Sequence, residues 1–145
     1  MEQLEREYAR SRRYDHAFSV VVCDIDHFKR VNDTFSHQMG DAVLREIAQL
    51  LRTGVRQGDT VARYGGEEFV LLLPETAAPD ARRIVARILE GVARHAWHVL
   101  HPDLTVTMSA GIADDLSVQS YEKLLGRADA KLYEAKRGGR NRVRV

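Results

Sequence analysis

Residues 64–69 read Tyr-Gly-Gly-Glu-Glu-Phe, two adjacent carboxylates directly after paired glycines. Two glycines in a row predict a tight turn that residues bearing a Cβ would make at a steric cost. Asp24 and Asp26 form a second acidic pair, at the end of an apolar run. Spaced i and i+2 at a strand end, they are expected on one face. If the Gly-Gly turn lies beside that strand, Asp24, Glu67 and Glu68 converge. Carboxylates held that close repel one another unless a cation intervenes. Hard oxygen ligands select Mg²⁺ or Mn²⁺, with phosphates of an anionic substrate completing the shell. Either acidic group alone could simply solvate a sheet edge; together they point to a metal site. Asp26 is compatible with ligation or with support of the ligands.

Positioning these acids requires a sheet. Phe18–Asp26 is a β-branched run that reads as a central buried strand. Asp59–Tyr64 and Phe69–Leu73 flank the glycines as the two arms of a hairpin. Residues 104–113 alternate with period two and read as a further strand, and Val143–Val145 as a last short one. Residues 2–14 are charged and helix-prone, with Leu4, Tyr8 and Ser11 on one face. Residues 41–53 place Val43, Leu44, Ile47, Leu50 and Leu51 at helical spacing, with Gly54 as a stop. A helix begins near Asp80 after Pro79, with Ile84, Val85, Ile88, Leu89 and Val92 inward. Another runs from about Ser120 to Lys136, with Leu124, Leu125, Ala128, Leu132 and Tyr133 inward, stopped by Gly138-Gly139. Asn32-Asp33 has turn-forming character. The order predicts an α+β fold: a mostly antiparallel five-stranded sheet around a β-α-β-β-α-β unit, ferredoxin-like or polymerase-palm in type.

The chain has 145 residues, 44% of them hydrophobic, which fits one globular domain. Its net charge of +1 gives no bulk pull toward nucleic acid or membrane. The segment Lys131–Arg144 is nevertheless basic, which suits a local phosphate site as well as a nucleic-acid patch. Cys23, the only cysteine, sits in the apolar run and reads as a buried structural thiol. With no signal-peptide pattern and no bilayer-length apolar run, a cytoplasmic setting without direct membrane contact is the expectation.

Four blocks carry a family resemblance. Arg63-Tyr-Gly-Gly-Glu-Glu-Phe69 resembles the signature of GGDEF domains, the diguanylate cyclases. Asp24-Ile-Asp-His-Phe-Lys-Arg-Val-Asn-Asp33 is similar to that family's Asp-x-Asp-x-Phe-Lys-x-x-Asn-Asp segment. His37-Gln-Met-Gly-Asp41 resembles its His-x-x-Gly-Asp block, and Tyr133-Glu-Ala-Lys-Arg-Gly-Gly-Arg-Asn141 its closing block. The resemblance implies that two GTP molecules, one on each of two facing domains, condense into cyclic di-GMP with release of two pyrophosphates. It implies Asp24, Glu67 and the Ile25 carbonyl as Mg²⁺ (or Mn²⁺) ligands. Glu67 or Glu68 would help deprotonate the 3′-hydroxyl. Asn32 and Asp41 would read guanine, and His37 would stand near the nucleotide. Lys29, Lys136 and Arg140 would hold phosphates, helped by backbone N–H groups around Phe28 and Lys29. Without a ligand, Asp41 could be only a helix cap, and Phe28 and Phe69 read as core anchors.

Arg56-Gln-Gly-Asp59 resembles the family's Arg-x-x-Asp inhibitory site, where the product binds, with Arg87 as a third candidate. An Arg fork onto guanine or phosphate and an Asp acceptor suit that chemistry. A receptor for cyclic di-GMP with little turnover is the alternative function. The family's opening segment, Asp-x-Leu-Thr-Gly-Leu-x-Asn-Arg, has no counterpart. The expectation is a single domain over residues 1–145, cut from a longer sensor. Ser36 stands where the family commonly has Gly, which predicts strain if that position needs positive φ.

Overall fold

A computed structural model describes residues 2–145. Helix α1 (Glu2–Tyr14) precedes strand β1 (Phe18–Ile25), α2 (Phe28–Thr34) and α3 (His37–Gly54). Strands β2 (Thr60–Arg63) and β3 (Glu68–Pro74) form the hairpin, followed by α4 (Ala78–Arg94) and a single-turn helix at Trp97–Val99. Strand β4 (Met108–Ala113), α5 (Tyr121–Arg137) and β5 (Val143–Arg144) complete the chain. The five strands run in the order β2-β3-β1-β4-β5. All neighbours are antiparallel except β4 and β5, which are parallel. The β-α-β-β-α-β reading therefore holds, with β1 at the centre.

Strand β1 is buried on both faces. Val21, Cys23 and Ile25 pack with Ile47 and Leu51 of α3 and Val85 and Leu89 of α4. Phe18, Val20 and Val22 pack with Leu4 and Tyr8 of α1 and Leu124, Ala128 and Leu132 of α5. That is why this run reads as continuously apolar rather than alternating. Helix α5 lies very close to the sheet at Gly111. A Cβ there would meet the Leu132 nitrogen at 2.1 Å and the Ala128 carbonyl oxygen at 2.2 Å. The predicted inward face of α1 is buried, and Tyr8 donates its hydroxyl proton to the Val118 carbonyl at 2.6 Å.

Five local expectations are corrected. Tyr133, expected inward on α5, is exposed, and Ala135 buries in that stripe instead. Asn32-Asp33 is no turn but lies inside α2, where Val31 buries against the core. Helix α3 starts at His37, four residues earlier than the apolar spacing indicates, because Ser36 caps it by accepting from the Met39 N–H at 3.0 Å. Asp41 is therefore one turn inside the helix and is not its cap. Ser36 itself has φ 172°, an extended backbone without strain. Of the predicted strand 104–113, only Met108–Ala113 pairs in the sheet. Leu104 and Val106 keep the alternation by burying without a ladder. Among the described residues, no helix is long and apolar enough to cross a membrane.

Candidate active site

Asp24 sits in β1 directly opposite Glu68 of β3 and Ser109 of β4. Side chains of directly paired antiparallel residues share a face, so Asp24 and Glu68 both point toward α5. From α5, Lys136 forms an ion pair with Asp24 Oδ2. Asp24 Oδ1 is buried and has no hydrogen-bond partner, while the side chain as a whole is only 7% exposed. Burial pushes the Asp24 carboxyl up, Lys136 pulls it down, and the charges of Glu67 and Asp26 push it up again. The Glu68 carboxyl is also raised, first by burial, then by Asp24 and by Asp129 of α5. Cys23 is enclosed and inert, its thiol pushed up to about 12 by burial and by the acids beside it.

Glu67 stands on the loop just before β3. Its carbonyl accepts the Ile25 N–H at 3.3 Å, which ties the hairpin tip to the end of β1. Glu67 lies outside the ladder of β3, and its charge bears on both Asp24 and Glu68. Among the described residues no three His, Cys, Asp or Glu side chains cluster closely enough to hold an ion alone. The three-carboxylate convergence expected from sequence is thus looser than foreseen. Asp24 still has the features of a cation ligand: a buried carboxylate oxygen without a donor calls for a positive partner. An aspartate, a glutamate and a backbone carbonyl are an oxygen set that fits a hard cation whose other positions go to phosphate or water.

Asp26 is drawn away from that role. Its Oδ1 accepts from Ser109 at 2.7 Å, and its Oδ2 from Thr107 at 2.7 Å and from the Asn141 N–H at 3.0 Å. Both oxygens are engaged, so Asp26 anchors the Arg140–Asn141 bend, whose residues have φ 62° and 48°, to the end of β1. This bend brings Arg140 to the same end of the sheet as Lys136.

Neither glycine of the Gly-Gly turn adopts positive φ. A Cβ at Gly66 would meet nothing within 4 Å, and one at Gly65 only the Glu68 carboxylate at 3.4 Å. The conformational reason given above for this pair is therefore wrong. What the glycines provide is bare backbone with open space above it.

Asn32 on α2 faces Gly40 on α3, where a Cβ would come within 1.9 Å of Asn32 Oδ1 and 3.2 Å of the Phe28 ring. Gly40, one residue before Asp41 in the chain, thus permits the close approach of α2 to α3 at Asn32. Phe28 packs against the core only in part, and Phe69 is fully buried. Lys29 and His37 are exposed at the starts of α2 and α3. The α2 N-cap, His27, contributes no capping side chain, so the N–H groups of Phe28 and Lys29 are not capped by it. A cavity of about 300 Å³ opens between α3 and β2, bounded by Asp41, Leu44, Arg45, Arg63 and Phe69 among others.

The Arg56–Asp59 pair lies at the other end of β2. The Asp59 side chain, only 1% exposed, accepts the Arg56 N–H at 3.1 Å and Arg56 Nε at 3.3 Å. Arg56 Nη2 donates to the Pro74 carbonyl at 2.6 Å and to Thr76 at 2.8 Å. Arg87 reaches from α4 to the Gly54 carbonyl at 3.4 Å. In this conformation Asp59 faces inward and closes a turn. Sequence reasoning missed the role of Arg63, whose guanidinium holds the carbonyls of Gly65 and Gly66. Its place two residues before the first glycine was the only available signal.

The family model described as "Diguanylate cyclase, GGDEF domain" matches residues 1–142. The chain belongs to the GGDEF family. This GGDEF domain is 45% identical over 144 residues to Diguanylate cyclase DgcP of Pseudomonas aeruginosa, covering 99% of the chain and 22% of that relative. It is 47% identical over 128 residues to Response regulator PleD of Caulobacter vibrioides, covering 86% of the chain and 28% of the relative. The chain thus spans less than a third of either. Its fold matches the GGDEF domain of DgcB from Caulobacter crescentus in complex with c-di-GMP, with a TM-score of 0.92 and 36% identity over 99% of this chain and 85% of that one. It also matches the active GGEEF domain of a diguanylate cyclase from Vibrio cholerae, with a TM-score of 0.93 and 30% identity over 99% and 91% of the two chains.

Proposed function

We propose that this domain is a diguanylate cyclase: two copies, each holding one GTP, join the nucleotides into cyclic di-GMP. The observation that carries the reading is the buried, unpartnered Oδ1 of Asp24, set beside Glu67 and under Lys136. Asp24, Glu67 and the Ile25 carbonyl would hold Mg²⁺ or Mn²⁺. When bound, that ion offsets phosphate charge and sharpens the α-phosphate as an electrophile. Asn32 and Asp41 hold the guanine edge, with His37 near the nucleotide and the backbone N–H groups around Phe28 and Lys29 turned to its phosphates. Lys29, Lys136 and Arg140 draw the phosphates in, Lys136 by exchanging its carboxylate partner for a phosphate oxygen. Glu67 takes the proton from the attacking 3′-hydroxyl, with Glu68 beside it. The new P–O bond forms at the α-phosphate of the facing nucleotide as the bond to pyrophosphate breaks. Because each hydroxyl comes from the other copy, the domain acts as a homodimer. No template or nucleic-acid contact is needed.

The test is chromatography of GTP incubated with Mg²⁺ and the protein at a concentration that favours dimers. Cyclic di-GMP and two equivalents of pyrophosphate are expected. Glu67→Gln should fold normally and yield neither. Absence of product from the unaltered protein would remove the cyclase reading.

A product-binding role is a second reading, favoured by the Arg56–Asp59 motif. It requires Asp59 to release one of its bonds to Arg56 so that the carboxylate can accept from guanine. Calorimetry with cyclic di-GMP decides it: equal affinities for the unaltered chain and Arg56→Ala would eliminate this site.

A further inference from the structure

Glu67 must be held at a fixed angle to Asp24, yet it follows two consecutive glycines, the residue type with the greatest backbone freedom. The structure shows what restrains them. Arg63, the last residue of β2, donates Nε to the Gly65 and Gly66 carbonyls at 3.2 and 3.1 Å, and Nη2 to the Gly66 carbonyl at 2.6 Å. The Gly66 carbonyl lies in the same rigid peptide plane as the Glu67 N–H. The plane on the other side of Glu67 is held by the Ile25 N–H, which donates to the Glu67 carbonyl. Fixing both planes fixes φ and ψ of Glu67, and with them the direction of its side chain.

We propose that Arg63 is a positioning residue of the active site, a fork that clamps the Gly-Gly carbonyls and so sets the angle of Glu67 toward Asp24 and the metal. This rests on the cyclase reading for its consequence, and on hydrogen bonds alone for its mechanism. An arginine is required because its fixed fork of N–H donors spans two consecutive carbonyls; a lysine offers a single point of charge. Arg63 also borders the cavity beside Asp41. Charge and clamp must therefore be separated, and Arg63→Lys does so by keeping the first and losing the second.

The experiment compares the unaltered protein with Arg63→Lys and Arg63→Met. Amide hydrogen exchange, without nucleotide or metal, reads the hairpin directly: the Tyr64 and Gly65 amides, which donate to the Glu68 carbonyl, and the Ile25 amide, which donates to the Glu67 carbonyl, should exchange faster in both variants, with the rest of the sheet unchanged. Mn²⁺ titration followed by electron paramagnetic resonance, with a non-reacting GTP analogue present, should show binding about tenfold weaker in both. Turnover at saturating Mn²⁺ should fall about a hundredfold, as for a displaced catalytic group, with thermal midpoints retained because the side chain is exposed. Arg63→Lys behaving like the unaltered protein in exchange and Mn²⁺ affinity would overturn the clamp. Unaltered protein that makes no cyclic di-GMP would sink the cyclase reading, while the exchange measurement would still decide on Arg63.

Discussion

Replacing Gly66 with alanine separates the needs of the fold from those of the substrate. In the ligand-free domain an added Cβ at this position meets nothing within 4 Å, and the backbone is outside the left-handed region. The native state therefore has no steric objection to the methyl group. The unfolded chain loses freedom, which stabilises the protein by about 0.4–1 kcal/mol. Unfolding entropy near the midpoint is about 2.1 cal/mol/K per residue, or roughly 0.3 kcal/mol/K for a chain of this length. Gly66→Ala should then raise the thermal midpoint by about 1–3 °C. Turnover of GTP should move the other way, falling tenfold or more, because a methyl group would stand in the open space where the nucleotide is proposed to approach. Differential scanning fluorimetry and product chromatography on the same preparation give both numbers. A midpoint lowered by more than about 3 °C would refute the structural half of this reasoning. Full turnover with a raised midpoint would refute the functional half.

Asp24→Asn should stabilise the metal-free domain at neutral pH. The folded-state pKa of Asp24 is raised, chiefly by burial, so its contribution to stability is complete below its unfolded pKa and is lost as pH rises through the folded one. Urea midpoints of Asp24→Asn and the unaltered domain should therefore converge as pH falls below the ordinary aspartate range and separate above it; parallel curves would contradict this. Gly111→Ala forces a methyl group onto backbone atoms of α5, which cannot rotate away. The expected loss is about 2–3 kcal/mol by urea denaturation, and an unchanged midpoint would show that α5 lifts freely. Asp59→Ala deprives the Arg56 N–H and Nε of their acceptor. It should lower stability by about 1–2 kcal/mol, with β2 the first strand to lose amide protection; protection lost evenly over the sheet would argue against a local role.

The succession of strands along the chain, the hairpin and the two-sided burial of β1 were legible because each leaves a local trace. A β-branched run of eight residues and a Gly-Gly turn between apolar arms allow few alternatives. Helix α2 was not legible, since its seven residues bury only Val31 and leave no repeat to detect. The start of α3 was misplaced because apolar spacing reports burial and not capping. At the site, Asp24, Glu67 and Lys136 stood out as residue types in motifs. The engagement of Asp26 by Thr107, Ser109 and Asn141 depends on partners more than eighty residues away. The glycine pair misled for a different reason: glycine is selected both for unusual φ and for bare surface, and composition does not distinguish the two.

The alternation of β1 also protects the site against error. Asp24 shares its parity with Phe18, Val20 and Val22, and opposes that of Val21, Cys23 and Ile25. A slip of one residue in pairing, or a single deletion between Phe18 and Cys23, would turn the carboxylate into the core beneath α3 and α4. It would also exchange two sets of apolar side chains, each shaped to a different layer of helices. Such a chain would fail as a fold before it could persist with a mispointed ligand. The accuracy of one carboxylate is thereby guarded by the whole sheet, and defects in this stretch should be removed by cellular quality control and not accumulate as folded, inactive protein.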